Sequence, residues 1–306
     1  MTINIAICLD IDRDAPFPKK GVAHGASLCS YNRNSNEWKN PQNFSLKGTI
    51  KGIKNLLMIF EEKNLPLTLF IEAGVIEKII EEIPNFFSAL RGIGSDFGLH
   101  GLYHEDLTGK ESGVLISKYQ ESLILEEALR IFRRYFKQEP VGFRAPYLNL
   151  SENTLELLAK NRFLYDSSVI KTANHVPYIY EDKNHKIVEV PILRYETDSN
   201  PFILYLWTLF EFIRPVDQII TMIQNIIDNT KKLESYDEIN NPSTLTINFH
   251  PWHLSYYIKE KRYFTEQEVR GNIKNFLKIL ETLMQTEGVK FVSISEVINN
   301  WYKKID

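Results

Sequence analysis

The sequence has little cysteine, no long apolar run and no excess of charge of one sign, and each shortage excludes a class of protein. Only Cys8 and Cys29 are present, and Cys8 lies in an apolar segment, so we expect a buried free thiol rather than a disulfide-stabilised fold. The longest apolar stretch, residues 201–213, is well short of the about 20 residues that a transmembrane helix needs. Lys and Arg number 36 against 39 Asp and Glu, without a dense basic cluster, which argues against a nucleic-acid partner.

The remaining composition is that of a folded globular protein, with 306 residues of which 43% are hydrophobic. Residues 1–4 lead directly into an apolar segment, without a basic region or a small-residue cleavage site, and this predicts a cytoplasmic location. Repeats, low-complexity tracts and linkers are absent from the sequence. One domain over residues 1–306 is therefore expected.

Short apolar segments alternate with longer segments of helical period. The predicted strands cover residues 3–9, 66–71, 97–99, 186–192, 244–249 and 289–292. The predicted helices cover residues 45–63, 117–137, 151–161 and 265–286, and a short helix ends the chain. This alternation predicts an α/β fold with a parallel sheet and outer helices, closed as a barrel or open.

Two segments interrupt the alternation. Residues 13–43 are rich in Pro, Gly, Asn and Ser and predict a loop insertion, including His24, that forms a rim over the site. Residues 201–214 predict an apolar helical insertion. We expect it to pack on the barrel or in a dimer interface, with contact to a membrane interface as the alternative.

Chemically useful side chains follow several of the predicted strands. Asp10, Asp12 and Asp14 come where the first strand ends, and His100 and His104 follow the strand at 97–99. The simplest interpretation of the three aspartates is that they are solvated acids in a surface turn. Two histidines four residues apart, however, share one face of a helical turn, and imidazole with a carboxylate suits a first-row metal.

Two further groups complete the pattern. Arg144 precedes the rigid Pro146-Tyr147 turn, and a guanidinium there can hold a carboxylate, although a surface ion pair is the alternative. His250 ends the strand at 244–249 and can donate a proton near neutral pH, although a structural histidine is the more common case. All four groups fall at the downstream ends of strands, where α/β barrels collect their catalytic residues.

Together these motifs resemble the polysaccharide deacetylase family, also called the NodB homology domain or carbohydrate esterase family 4. The resemblance implies a distorted (β/α) barrel with about seven strands in a single domain. It implies a role for each matching residue: Asp10 as base, Asp12, His100 and His104 as metal ligands, Arg144 as the group that orients the base, Pro146 and Tyr147 as the oxyanion turn, and His250 as acid.

The sequence departs from the family pattern in two places. Ile11 separates aspartates that are adjacent in other members, so the division of base and ligand among Asp10, Asp12 and Asp14 stays open. An aspartate-tryptophan signature that supports the catalytic histidine is missing, and Asp166 is the nearest replacement.

The resemblance predicts a metal-dependent hydrolase that removes the N-acyl (acetamido) group from a sugar or sugar conjugate. Zinc is the expected metal, with Co, Ni, Mn or Fe as alternatives. The expected substrate is a nucleotide-linked or lipid-linked intermediate of surface polysaccharide or glycolipid synthesis inside the cell. Alternatives are a deformylase or other C–N amidohydrolase, a non-haem iron oxygenase and a non-catalytic carbohydrate-binding barrel. A homo-oligomer is left open.

Overall fold

The computed structural model describes residues 2–28, 40–172, 177–182, 185–195, 202–232 and 243–305. Cys29 and residues 30–39 of the predicted 13–43 loop therefore lie outside the described residues. The strands are β1 Ile3–Ile11, β2 Pro16–Lys19, β3 Val22–Ser27, β4 Leu67–Ile71, β5 Asp96–Leu99, β6 Gly142–Phe143, β7 Tyr165–Asp166, β8 Ile170–Lys171, β9 Tyr178–Asp182, β10 His185–Glu189, β11 Ile192–Tyr195, β12 Phe202–Ile203, β13 Thr244–Phe249, β14 Tyr256–Tyr257, β15 Arg262–Tyr263 and β16 Val289–Phe291. The helices are α1 Lys47–Lys63, α2 Ile76–Glu82, α3 Phe86–Gly92, α4 Lys118–Phe136, α5 Thr154–Lys160, α6 Trp207–Phe210, α7 Val216–Lys231, α8 Glu266–Met284 and α9 Ile294–Ile305.

The main sheet is parallel and curled, with helices outside it. Its strands run in the order β13-β1-β4-β5-β6-β7-β10, each parallel to its neighbour, and β9 adds an antiparallel edge to β10. β16 also pairs with the start of β1. The predicted barrel of about seven strands is confirmed, and the carboxyl ends of its strands face one side.

A short segment connects the main sheet to a separate three-stranded sheet of order β12-β11-β8. The Leu204 N–H donates to the Leu193 carbonyl of β11 over 2.8 Å, and the Leu204 carbonyl accepts from the Asn248 N–H of β13 over 3.1 Å. The Leu206 N–H then donates to the Asn248 carbonyl over 2.8 Å. Residues 204–206 are therefore fixed at the carboxyl end of β13, beside the predicted catalytic residues.

The helical prediction for residues 201–214 is only partly right. The described part of this segment contains β12 and the four-residue helix α6. Leu204, Leu206 and Phe210 are fully buried, which agrees with packing on the barrel, while Phe212 is about half exposed. Main-chain pairing with β11 and β13 outweighs helical periodicity here. Among the described helices, none is long and apolar enough to cross a membrane.

The other helix predictions follow local signals that the structure retains. α4 begins with a capping box between Ser117 and Gln120, and α8 begins with one between Thr265 and Glu268. α1 and α5 also fall within the predicted ranges. The sequence prediction missed α2, α3 and α7, which lie between or beside the predicted strands.

Helix α1 packs closely against the turn that follows His250, and Gly52 makes this possible. A Cβ atom at Gly52 would lie 2.0 Å from the Pro251 carbonyl oxygen. We expect Gly52→Ala to lower the free energy of unfolding by about 1–3 kcal/mol, because the backbone must move to admit the methyl group. Urea unfolding measures this change.

Gly271 in α8 provides the matched control, because a Cβ atom there meets nothing within 4 Å. Gly271→Ala is expected to stabilise the protein by about 0.5–1 kcal/mol through the lower entropy of the unfolded chain. Equal effects at the two positions would contradict the close packing of α1 on the turn.

Candidate active site

Asp12, His100 and His104 come together at the carboxyl end of the sheet, directly after β1 and β5. Each residue offers a ligand atom within 4.8 Å of those of the other two, and all three side chains are buried. His104 adopts a left-handed backbone conformation, with φ of 58°. The three predicted metal ligands thus form one cluster.

The chemistry of this cluster fits a metal ion. His100 Nδ1 lies 2.9 Å from the Arg144 carbonyl oxygen, and only a protonated Nδ1 can donate to that acceptor. This leaves the lone pair on His100 Nε2, a buried atom without a hydrogen-bond partner among the described residues. Burial lowers the pKa of His100 to about 4, although Asp10 opposes the shift, so the ring is neutral as a metal ligand must be.

Asp12 lies between the histidines and Trp252. Its Oδ2 is 3.4 Å from His104 Nε2 and 3.0 Å from His250 Nδ1, in contacts that are not aligned as hydrogen bonds. Its Oδ1 accepts from Trp252 Nε1 over 2.9 Å. Burial alone would raise the pKa of Asp12, but His250 and His104 outweigh it and lower the pKa below its ordinary value. The carboxylate therefore stays ionised.

His250 is the predicted acid, and the Asp12 carboxylate is its charged neighbour. Burial by itself would lower the pKa of His250, but Asp12 raises it above the ordinary value. The His250 ring also lies 5.0 Å from the Trp252 ring and 5.7 Å from the Tyr205 ring, measured between centroids. These contacts fix the imidazole at the edge of the cluster.

Asp10 forms a buried ion pair with Arg144, as predicted. Arg144 Nη1 donates to Asp10 Oδ1 over 2.9 Å, and both side chains are at most 1% exposed. The rest of the guanidinium is held by Ser167, through its carbonyl oxygen at 2.9 Å and its hydroxyl at 3.0 Å. The hydroxyl of Tyr205 donates to Asp10 Oδ2. Asp10 is thus held in place from two sides.

Asp14 takes a different place from the other two aspartates. It accepts hydrogen bonds from the N–H groups of Gly48 and Thr49, at 2.8 and 2.7 Å, and from the Ser45 hydroxyl at 2.8 Å. These bonds satisfy the first backbone donors of α1, which has no capping side chain of its own. Asp14 therefore caps a helix, which leaves Asp10 and Asp12 for base and ligand.

The suggestion that Asp166 supports His250 is wrong in this structure. The Asp166 carboxylate accepts from the Ser168 N–H and hydroxyl, at 3.0 and 2.9 Å, and interacts with the buried Glu189. Burial raises the pKa of both acids, and their proximity adds to that of Glu189. Ser168 in turn accepts from the Ala145 N–H over 2.8 Å. Asp166 thus contributes to the turn after Arg144 and not to His250.

The predicted oxyanion turn forms a short 3₁₀ turn at Pro146–Leu148. Tyr147 has a φ of 57°, and its ring meets the His104 ring edge to face at 4.5 Å. A Cβ atom at Gly25 would lie 2.9 Å from the Tyr147 hydroxyl and 3.1 Å from His104 Nδ1. The Pro146–Leu148 turn and the metal cluster therefore contact each other, and β3 packs closely against both.

The described part of the 13–43 segment forms the hairpin β2–β3 beside the site. The Gly25 N–H donates to the His104 carbonyl over 2.8 Å, and buried Arg13 donates to the Gly25 carbonyl over 2.8 Å while pairing with Glu72. Pro16, Phe17 and Pro18 line the cavity, as a rim should. His24 is half-buried next to Glu105, and burial, with Arg13, lowers its pKa to about 4.

A cavity of about 450 Å³ opens over these groups. Its lining includes Asp10, both cluster histidines and His250, together with three aromatic residues that the sequence analysis did not assign to the site: Tyr205, Trp207 and Trp252. Trp252 could have been found, because it lies inside the His250-Pro251-Trp252-His253 motif. A larger groove, of about 770 Å³ between α1, α2 and α8, contains none of the predicted site residues.

Comparison with known proteins points to the same family as the sequence motifs. Residues 48–165 match the model of the polysaccharide deacetylase family, which confirms the resemblance predicted from the motifs. The predicted enzyme class is that of the matched family, hydrolases that act on amide C–N bonds. The chain is also similar to a peptidoglycan deacetylase from Helicobacter pylori, with 30% identity over 127 residues, 42% of this chain and 40% of that protein.

Solved structures extend the likeness in fold to nearly the whole chain. Two structures named for polysaccharide deacetylases, from Mycobacterium smegmatis and Pseudomonas aeruginosa PAO1, superpose with TM-scores of 0.68 and 0.65 at 19% and 17% identity. Each alignment covers 99% of this chain and 91% of the other. The NodB-like fold is therefore confirmed, whereas the curated relative is matched over less than half of its length.

Proposed function

We propose that the protein is a metal-dependent hydrolase that removes the acetyl group from an N-acetylated amino sugar. The observation that carries the proposal is the metal-ligand cluster of Asp12, His100 and His104 beside the buried Asp10–Arg144 pair. A metal site with a purely structural role needs the ligand cluster, but it does not need a further buried carboxylate such as Asp10 beside it. The family match supports the same chemistry.

Each residue has a role in this proposal. A divalent ion held by the cluster would act as a Lewis acid, polarising the acyl carbonyl and acidifying a water molecule. Asp10 takes the proton of the attacking water, and Arg144 holds the carboxylate in place through its Nη1. The Tyr147 N–H stabilises the oxyanion, and His250 gives a proton to the departing sugar nitrogen.

The lining of the cavity favours an uncharged saccharide as substrate. Among the described lining residues, Asp10 is the one carboxylate and none is Lys or Arg, so the phosphates of a nucleotide diphosphate would find no lysine or arginine partner there. Aromatic faces of Phe17, Tyr147, Tyr205 and Trp207 offer apolar surface for sugar rings. The name of the Helicobacter pylori relative, a peptidoglycan deacetylase, supports an amino sugar.

The test is acetate release from an oligosaccharide of N-acetylglucosamine by zinc-loaded protein, with UDP-N-acetylglucosamine as the charged comparison. We expect release from the oligosaccharide, and loss of both bound zinc and release in His104→Ala. Bound metal without release from any N-acetylated sugar would contradict the proposal. Preferential release from the nucleotide sugar would contradict the proposed uncharged saccharide substrate, but not the deacetylase activity.

The Trp252–Asp12 bond predicts an effect on metal affinity. Trp252→Phe keeps an aromatic ring but removes the Nε1 donor that orients Asp12. Loss of a group that orients a metal ligand typically weakens binding about 10- to 100-fold, and we expect this for zinc measured by competition with a chelator. Trp207→Phe is the matched control, because Trp207 lines the cavity and is 41% exposed. Unchanged affinity in Trp252→Phe would show that Asp12 needs no such support.

A further inference from the structure

The base predicted from the sequence has a second partner that the motifs do not contain. Asp10 Oδ1 accepts from Arg144, whereas Asp10 Oδ2 accepts from the Tyr205 hydroxyl. We propose that Tyr205 is a positioning residue, which fixes the plane of the Asp10 carboxylate so that its remaining lone pairs face the attacking water. This inference rests on the proposed function for its kinetic part.

The backbone holds Tyr205 rigidly enough for this task. Tyr205 lies between Leu204 and Leu206, whose main-chain groups pair with β11 and β13, and both leucine side chains are fully buried. Tyr205 also forms a bridge with Asn248 of β13. The phenol therefore reaches Asp10 from a segment that is hydrogen-bonded to β11 on one side and to β13 on the other, and not from a free loop.

The hydrogen-bonding capacity of Asp10 leaves room for catalysis. An ionised carboxylate offers about four acceptor positions on its two oxygens. Arg144 and Tyr205 occupy one position on each oxygen, so each oxygen retains a position for water. If Arg144 were its only partner, the Asp10 carboxylate could still rotate about the Cβ–Cγ bond. A donor on each oxygen removes that freedom, which is the purpose of preorganising a base.

The kinetic test is Tyr205→Phe in the zinc-loaded protein, with the N-acetylglucosamine oligosaccharide as substrate. A hydrogen bond to a charged group contributes about 1.5–3 kcal/mol, so kcat should fall by about 10- to 100-fold. KM and the affinity for zinc should change by less than about twofold, because the ring remains. A large rise in KM with kcat unchanged would overturn the inference, since the Tyr205 hydroxyl would then bind the substrate and not position Asp10.

Tyr257→Phe is the matched control, because Tyr257 packs on Phe212 and Phe264 and does not line the cavity. It should leave kcat unchanged. A similar fall in kcat for both variants would overturn the inference, because the loss would then be a general effect of removing a hydroxyl.

A second measurement does not depend on activity. The loss of Tm caused by Tyr205→Phe is compared in the wild-type and Asp10→Ala backgrounds. We expect a clear loss in the first and little in the second, because the partner is already absent. Equal losses in both backgrounds would overturn the inference. If the wild type releases no acetate, the proposed function fails, while this comparison still decides whether Tyr205 holds Asp10.

Discussion

Replacing Asp10 with asparagine is expected to lower the kcat of acetate release by about 10²- to 10⁴-fold, the range that general acid–base catalysis contributes. The amide keeps nearly the same shape and can still accept from Arg144, but it cannot take the proton of the attacking water. Zinc should remain bound, because Asp10 is not one of the three clustered ligands. Elemental analysis and initial rates on the same sample measure both properties.

Asp14→Asn is the matched control, because it makes the same substitution four residues along the chain. Asp14 accepts from two N–H groups of α1 through its two oxygens, and an amide can accept through only one, so this variant should lose about 1–3 kcal/mol of stability and keep its activity. Loss of zinc from Asp10→Asn would instead mark Asp10 as a ligand. Loss of activity in Asp14→Asn alone would transfer the role of base to Asp14.

The sequence could predict which side chains meet because a parallel sheet brings strand ends to one side. Asp10 lies at the end of β1, Asp12 follows β1, His100 follows β5 and His250 follows β13, so nearby parallel strands deliver them to one place. Register was not needed, since proximity at the strand ends was enough. The roles within the site remain predictions until kinetics test them.

The partners of those side chains could not be predicted in the same way. Tyr205 lies 195 positions from Asp10 and Trp252 lies 240 positions from Asp12, and each contact depends on how a connecting segment packs. Asp166 shows the reverse error: it was chosen for its chemical type, but the pairing of β7 with β10 places it beside Glu189. Periodicity and spacing carry no information about such long-range choices.

Arg144→Met is expected to destabilise the protein by about 3–5 kcal/mol, because it leaves the Asp10 carboxylate buried without its ion-pair partner. Urea unfolding measures the loss. Arg262→Met is the control, because Arg262 pairs with Glu268 at a side-chain exposure of 38%, where solvent screens the ion pair and the loss should be much smaller. The double variant Asp10→Asn/Arg144→Met separates charge from packing. If the uncompensated charge causes the loss, the double variant should be more stable than Arg144→Met alone. If both unfold equally easily, the bonds of Arg144 to Ser167 and its contact with the Phe70 ring at 4.1 Å account for the loss, and Arg144 serves the fold more than the base.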